Sequence, residues 1–255
     1  MANKYAVITG ASSGIGREIA RELYGKNYKL ILVARREDRL NELNNELGGD
    51  NIVMPLNLLL EASIEKLFQK ISELDVSVFI NNAGFGDAGY FEETMLSKEI
   101  NMIDLNVRAL HIMMKRALLM FEEKKEGYIL NIGSSAGLFP AGPFMATYYA
   151  TKSYVVSLSL AVAEELKQKK SNIYVGVLCP GPVDTEFNNV AEVEFSLNGI
   201  TPQYCAKYAV KQMFKRKVCI VPTFTMKSAV FFSKFLSRRT LIKATGHQQK
   251  KKIYK

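Results

Sequence analysis

The stretch Tyr5-Ala6-Val7-Ile8-Thr9-Gly10-Ala11-Ser12-Ser13-Gly14-Ile15-Gly16 decides the fold of this chain. A short apolar run ends in three glycines, and a pattern of helical spacing follows. Glycines let a backbone approach a ligand closely, and a helix N-terminus offers unpaired N–H groups with a partial positive charge. The alternative is a simple flexible turn. We favour a phosphate-binding turn, and its predicted cofactor-binding residues are Gly10, Ser12, Ser13, Gly14, Ile15 and Gly16.

A second apolar run, residues 28–34, is followed at once by Arg35 and Arg36. In dinucleotide-binding folds an acidic residue about 20 positions beyond the glycines binds the ribose 2′-hydroxyl, whereas arginine accommodates a 2′-phosphate. Arg35 stands 19 residues after Gly16, and the first acid is Glu37. The sequence therefore predicts that Arg35 and Arg36 bind NADP(H) rather than NAD(H). The alternative is that both arginines only begin a solvated helix.

Apolar runs typical of buried strands alternate with helical patterns through most of the chain. Such alternation predicts right-handed βαβ units and a parallel sheet with helices on both faces. We expect an α/β fold, a single doubly wound Rossmann-type domain of about seven strands over residues 1–221, with residues 222–255 appended to it. The later predicted strands are 52–56, 76–80, 127–132, 173–178 and 218–221, and the predicted helices are 63–74, 99–121, 146–169 and 203–214.

Polar and glycine-containing segments follow several of these strands. In open parallel sheets ligands bind beyond the carboxyl ends of the strands. The segments at such ends are the Gly10–Gly16 turn, Arg35, residues 81–84, Ser134-Ser135 and Pro180-Gly181. Their convergence predicts one ligand site at this edge of the sheet.

Tyr148 and Lys152 lie four residues apart in a segment of helical character. Residues at this spacing share one face of an α-helix, so a phenol and an ammonium would meet the same space. A nearby positive charge favours the ionised form of an acid, which predicts a lowered pKa for Tyr148. The pair is therefore a candidate general acid with its activating cation.

Composition limits the classes of protein that the chain can belong to. The chain has 255 residues and a mass of 28.6 kDa, and it begins without the apolar core of a signal peptide. The three cysteines have no metal-ligand spacing, and there are two histidines. We expect a cytoplasmic protein with reduced thiols and no bound metal.

The net charge of +9 is unevenly distributed along the chain. Residues 1–194 contain 20 Lys/Arg and 25 Asp/Glu, whereas residues 195–255 contain 14 Lys/Arg and no acid. Residues 226–244 predict a basic helix that also carries apolar side chains, which is typical of peripheral membrane contact through residues 226–255. The alternative is a helix packed over the ligand cleft or in a dimer interface. No nucleic-acid recognition motif accompanies the charge, so we expect no nucleic-acid partner.

With these residues in place, the chain resembles the short-chain dehydrogenases/reductases over about residues 4–221, and Arg35 marks it as similar to the NADP-preferring type. Order and spacing agree as well, including the separation of 13 positions from Ser135 to Tyr148. The matching pieces are the Thr9–Gly16 turn, Asn81-Asn82-Ala83-Gly84, Asn106, Ser135, Tyr148 with Lys152, and Pro180-Gly181.

The resemblance implies a catalytic tetrad of Asn106, Ser135, Tyr148 and Lys152. Tyr148 would be the general acid/base, and Ser135 would hydrogen-bond the substrate oxygen. Lys152 would lower the Tyr148 pKa and bind the nicotinamide ribose, and Asn106 would hold a water that links Lys152 to solvent. Ser134 and Tyr149 are neighbours with the wrong spacing.

The resemblance also implies how the cofactor and partner subunits would be bound. At Asn57 the family usually has Asp, and an amide oxygen can still accept the same hydrogen bond. Homodimers or homotetramers would form on the helices that carry Asn106 and Tyr148. The remaining implied cofactor-binding residues are Asn81, Ala83, Gly84, Pro180, Gly181, Val183 and Thr185, together with Tyr148 and Lys152.

Two segments are expected to set the substrate. Residues 139–145 and 187–199 contain phenylalanines and methionine, which indicates an apolar pocket unless they only pack in the core. We therefore expect hydride transfer between nicotinamide and an apolar ketone, aldehyde or alcohol. The alternative is a nucleotide-binding interaction protein or membrane-surface protein that uses the basic C-terminal region.

Overall fold

Seven parallel strands form one sheet in the computed structural model, which describes residues 4–187 and 199–253. The order across the sheet is β3-β2-β1-β4-β5-β6-β7, so the chain winds outward in both directions from β1 and β4. This order confirms the doubly wound α/β fold. The strands are β1 (Tyr5–Thr9), β2 (Lys29–Ala34), β3 (Ile52–Pro55), β4 (Val76–Asn81), β5 (Gly127–Ile132), β6 (Ile173–Leu178) and β7 (Cys219–Ile220).

Helices cover both faces of the sheet. The helices are α1 (Gly14–Tyr24), α2 (Glu37–Glu46), α3 (Glu61–Ser72), α4 (Leu96–Ile103), α5 (Leu110–Lys124), α6 (Ala146–Gln168), α7 (Pro202–Phe214), α8 (Phe224–Ser233) and α9 (Arg238–Ile253). A π-helical turn joins α4 to α5 over Asp104–Ala109, and Ser135–Leu138 form a 3-10 turn.

Side-chain alternation along the strands divides the core into two layers. In β1, Ala6 and Ile8 pack with α1, α2 and α7, whereas Val7 points to the other face. That second layer includes residues of α3, α5 and α6. Strands buried on both faces are expected for parallel sheets covered by crossover helices.

Two predicted helices differ from the structure. The helix predicted over 99–121 begins at Leu96 and is interrupted by the π-helical turn. The helix predicted over 226–244 is two helices, α8 and α9, because the Ser237 hydroxyl accepts a hydrogen bond from the Thr240 backbone N–H and so caps a new N-terminus. Most of the predicted 187–199 segment, residues 188–198, lies outside the described residues.

Hydrogen bonds from Thr9 join the carboxyl ends of the two central strands. The fully buried Thr9 hydroxyl donates to the Ile80 carbonyl at 3.2 Å and accepts from the backbone N–H groups of Asn82 and Ala83 at 2.9 and 3.1 Å. The Asn82 side-chain amide nitrogen donates a hydrogen bond to the Thr9 carbonyl at 2.9 Å. These bonds fix the point at which the strand order reverses.

We predict that Thr9→Val lowers the free energy of unfolding by about 1–3 kcal/mol, because it leaves the Ala83 N–H without its acceptor and leaves the Asn82 N–H with the Ile80 carbonyl alone. Chemical denaturation monitored by circular dichroism measures the change. Thr9→Ser keeps the hydroxyl and should cost less than half as much. Equal stability of Thr9→Val and the wild-type protein would contradict this role.

Candidate active site

A cavity of about 790 Å³ opens at the carboxyl ends of the strands. It brings together most of the predicted site residues. Those that line it are Gly10, Ser12, Ser13, Gly14, Ile15, Arg35, Arg36, Asn57, Ala83, Gly84, Ser135, Tyr148, Lys152, Pro180, Gly181, Val183 and Thr185.

Three predicted residues lie behind the cavity surface rather than on it. The Asn81 amide is buried and donates to Asn131 Oδ1 at 2.9 Å, so its side chain points away from the cavity and Asn82 lines it instead. Gly16 lies under the turn, where a Cβ would come 2.4 Å from the Gly10 carbonyl oxygen. Asn106 is also buried.

The glycine-rich turn has the shape of a phosphate cradle. Gly10 and Gly14 have φ values of +67° and +55°, which strongly favour glycine. A Cβ on Gly10 would lie 2.7 Å from the Asn82 amide nitrogen, and one on Gly14 would lie 3.2 Å from the Thr185 side chain. The turn leads directly into the N-terminus of α1, so its backbone fits the diphosphate of a dinucleotide.

Tyr148 and Lys152 occupy one face of α6, as their spacing predicts, and both are buried. The Lys152 ammonium donates to the Ile132 carbonyl at the end of β5, with an N–O distance of 2.8 Å. The same nitrogen lies 5.9 Å from the centre of the Tyr148 ring. A phenol and a cation therefore share the floor of the cavity.

Burial governs the ionisation of this pair. It raises the pKa of Tyr148 to about 12, although a hydrogen bond with Ser134 acts in the opposite direction. Burial also lowers the pKa of Lys152 to about 8. Burial disfavours the phenolate, so the pKa of Tyr148 lies above its ordinary value, and the lowering of that pKa by Lys152 stays a prediction. At neutral pH the phenol carries its proton and can donate it.

The two adjacent serines have different surroundings. The Ser134 hydroxyl hydrogen-bonds the Tyr148 phenol and accepts from the Ala136 N–H at 3.1 Å. The Ser135 backbone N–H donates to the Pro180 carbonyl at 2.8 Å, and Ser135 also lines the cavity. The spacing to Tyr148 favours Ser135, but the hydrogen bond to Tyr148 comes from Ser134.

Asn106 connects the loop after β4 with α6. Its amide nitrogen donates to the Phe85 carbonyl at 2.8 Å and to the Thr151 hydroxyl at 3.2 Å, and its oxygen accepts from the Phe85 N–H at 3.1 Å. Asn106 lies in the π-helical turn, an irregularity that often marks functional sites. A Cβ on Gly84 would be 2.7 Å from the Asn106 oxygen and 3.6 Å from the Lys152 nitrogen, so glycine permits this close packing.

Positive charge lies at the end of β2. Arg35 and Arg36 are exposed and line the cavity, and Arg36 donates to the Ser12 hydroxyl at 3.3 Å. Arg36 also donates to the Glu186 carboxylate at 2.8 Å. Nearby, the Asn57 oxygen accepts from the Leu59 N–H at 3.2 Å.

The alternative of a helix packed over the ligand cleft agrees with the structure, but the sequence analysis named none of the residues that α8 and α9 contribute to the cavity. The Gln249 amide nitrogen donates to the Tyr149 hydroxyl at 2.5 Å, and its buried oxygen has no hydrogen-bond partner in the described part of the chain. Tyr149, set aside by its spacing, is thus a cavity residue. The lining residues are Leu241, Ala244, Thr245, Gln248 and Gln249 from α9, and Met226 and Ala229 from α8. Their helical spacing was the signal in the sequence that could have identified them.

Two properties of the described residues bear on other classes of site. Across residues 4–187 and 199–253, no three His, Cys, Asp or Glu side chains cluster so that they could hold a metal ion. Within the same residues, no helix is both long and apolar enough to cross a membrane.

Comparisons with known proteins agree with this geometry. The family model for short chain dehydrogenase matches residues 4–194. An uncharacterized oxidoreductase of Staphylococcus saprophyticus is 33% identical over 194 residues, 73% of this chain and 77% of the relative. The very-long-chain 3-oxoacyl-CoA reductase of Pyricularia oryzae is 32% identical over 180 residues, 67% of this chain, and the chain spans about half (54%) of that relative's length.

The fold matches solved structures over nearly its whole length. A short-chain dehydrogenase from Sphingobium yanoikuyae in complex with NADPH superimposes with a TM-score of 0.81 at 27% identity, over 91% of this chain and 94% of the other. The chain therefore belongs to the short-chain dehydrogenase family and is an oxidoreductase that acts on a C=O or CH–OH group.

Proposed function

We propose that the protein is an NADP(H)-dependent reductase of apolar ketones or aldehydes, with Tyr148 as the general acid/base. The observation that carries this proposal is the buried, protonated Tyr148 phenol beside Lys152 on the floor of the cavity. A bound nicotinamide would supply or accept the hydride at the substrate carbon. The side chains of the protein bind the substrate oxygen and move its proton.

Three side chains act on the substrate oxygen. Tyr148 donates its proton to the oxygen as negative charge develops there during reduction. Ser135 donates a hydrogen bond to the same oxygen, while Ser134, already bonded to the phenol, orients Tyr148. The Lys152 ammonium stabilises the phenolate that remains, because a cation favours the charged form of its neighbour.

Asn106 positions these groups rather than touching the substrate. Its amide holds the loop after β4 against Thr151 of α6, one residue before Lys152. We also propose that Asn106 holds a water that links Lys152 to solvent. Such a path would return the proton to Tyr148 after each turnover.

The cationic groups at the end of β2 support a preference for NADP(H). Arg35 and Arg36 line the cavity, and the first acidic residue after β2 is Glu37, which is exposed at the start of α2. Arginine is suited to phosphate because its planar fork donates several charge-assisted hydrogen bonds. The NADPH complex of the Sphingobium relative also supports this preference.

The cavity walls support an apolar substrate. Phe139, Met145 and Phe187 pack with Tyr148, and Leu241 of α9 also lines the cavity. The name of the Pyricularia relative, very-long-chain 3-oxoacyl-CoA reductase, indicates such a substrate for that protein. We therefore propose a carbonyl next to an extended apolar chain.

Location and assembly are also proposed. The three cysteines are free thiols, which supports a reducing compartment such as the cytoplasm.

Leu96 and Ile100 of α4 and Leu119 of α5 are exposed apolar side chains. Their exposure supports a homodimer or homotetramer built on the helices that carry Asn106 and Tyr148.

A second proposal concerns peripheral membrane contact. The aromatic patch, which we define as Phe224, Phe231, Phe232, Phe235 and Leu236, is exposed, with 74% of Phe235 accessible. An exposed apolar patch of this kind indicates an interaction surface.

The charge around the aromatic patch favours an anionic lipid surface over a second copy of the chain. Lys234, Arg238, Arg239 and Lys243 lie near its residues in the sequence, and no acidic residue follows Glu194. A two-fold dimer would place these cations against one another, whereas each is worth about 1 kcal/mol near an anionic leaflet. Because α8 and α9 also line the cavity, such contact would bring its entrance to the bilayer.

We predict that Tyr148→Phe lowers kcat/KM for NADPH-dependent reduction of an apolar ketone panel by about 10²–10⁴-fold, since the proton donor is lost. NADPH binding, measured by fluorescence titration, should stay within about threefold of wild type. Reduction by Tyr148→Phe at the wild-type rate would refute the assignment.

The serines are tested as a matched pair in the same assay. Ser135→Ala should lower kcat by about 10²–10³-fold, as expected for loss of an oxyanion donor. Ser134→Ala, which removes the bond to the phenol and the one accepted from the Ala136 N–H, should cost about tenfold or less. A larger loss for Ser134→Ala would transfer the substrate-binding role to Ser134.

We predict that the full-length protein co-sediments with vesicles containing anionic lipid, and that Phe231→Ser/Phe235→Ser lowers the bound fraction at least about fivefold. Truncation before α8 is unsuitable because it removes the cavity wall. Leu60→Ser, at an exposed apolar residue outside the helices of the proposed subunit interface, is the matched control and should bind as wild type does. Negligible binding of the wild-type protein would remove this proposal.

A further inference from the structure

An acidic side chain lies among the arginines at the end of β2. Glu186, from the loop after β6, accepts from Arg36 at 2.8 Å and from Arg39 at 3.4 Å. The Arg36 hydrogen bond is the largest of the effects that lower the pKa of Glu186, so the carboxylate is charged at neutral pH. No motif in the sequence predicted this contact.

The contact spans two walls of the cavity. Glu186 directly follows Thr185, whose side chain lies against Gly14 of the glycine-rich turn. On the opposite wall, Arg36 uses one guanidinium nitrogen for Glu186 and another for the Ser12 hydroxyl. The carboxylate therefore uses N–H groups in the region where a ribose phosphate would need them.

The ion pair is open to solvent and can exchange its partner. The side chains of Arg36 and Glu186 are 44% and 40% exposed. Exposed pairs of this kind are weak, because water screens the attraction and solvates each charge when they separate. A phosphate group, with more charge and three acceptor oxygens, would compete well for the same arginine.

We propose that Glu186 is a specificity-determining residue for the cofactor, because its carboxylate competes with the 2′-phosphate of NADP(H) for Arg36 and Arg39. This inference rests on the proposed binding of NADP(H) at Arg35 and Arg36. NAD(H) has no 2′-phosphate and does not enter this competition. The arginines alone would favour NADP(H) over NAD(H) by a larger ratio of dissociation constants. Glu186 makes that ratio smaller.

Direct binding tests the proposal without any substrate. Dissociation constants for NADPH and NADH are measured by nucleotide fluorescence at fixed, low salt. Glu186→Gln should tighten NADPH binding by about fivefold or more while NADH stays within about twofold. Glu46→Gln is the matched control: Glu46 pairs with Arg17 and Arg21 but does not line the cavity, so both constants should be unchanged.

A second background identifies the partner. Glu186→Gln is also added to an Arg36→Ala protein. There it should change the NADPH dissociation constant by less than half of the factor that it gives when Arg36 is present, because the main competing contact is gone. An unchanged NADPH constant in Glu186→Gln, weaker NADPH binding, or equal tightening of NADPH and NADH would each overturn the proposal.

The same titrations separate this inference from the proposed function. The NADPH to NADH ratio of the wild-type protein tests the preference for NADP(H). The change of that ratio on Glu186→Gln tests the competition. A wild-type protein that prefers NADH would contradict the proposed cofactor, whatever Glu186 does.

Discussion

The hydrogen bond from the Lys152 ammonium to the Ile132 carbonyl is the contact on which the arrangement of the site depends. It joins α6 to the carboxyl end of β5, so this helix is fixed to the central sheet. The surrounding backbone packs closely enough to require small residues. A Cβ on Gly137 would come 2.4 Å from the Lys152 carbonyl oxygen, and Gly84 leaves room for Asn106 and Lys152 to approach.

Burial of Tyr148 and Lys152 determines which proton transfer the site favours. A phenol with a pKa of about 12 holds its proton at neutral pH and is ready to donate it, which suits reduction of a carbonyl. It is a poor base, so oxidation of an alcohol would need a nearby positive charge to favour the phenolate. The Lys152 cation is available for this below its pKa of about 8.

Residues whose roles are local were predictable from the sequence. The glycine-rich turn, the alternation of strands and helices, and the Tyr148–Lys152 spacing depend on neighbours in the chain. The preference of Ser134 for the Tyr148 phenol and the contact between Gln249 and Tyr149 depend on distant elements meeting, so no spacing reveals them. The break between α8 and α9 was readable in principle, since Ser237 has the character of an N-cap.

Hydride transfer is the central claim, and isotope transfer tests it most directly. NADPH carrying deuterium in the transferable position at nicotinamide C4 is incubated with the protein and an apolar ketone, and the product is analysed by mass spectrometry and NMR. The account predicts an alcohol with one deuterium on the carbinol carbon and a hydroxyl proton from solvent. The account would be contradicted if neither C4 epimer of the labelled cofactor gave an alcohol with deuterium on that carbon. The absence of any ketone reduction across the panel would also contradict it.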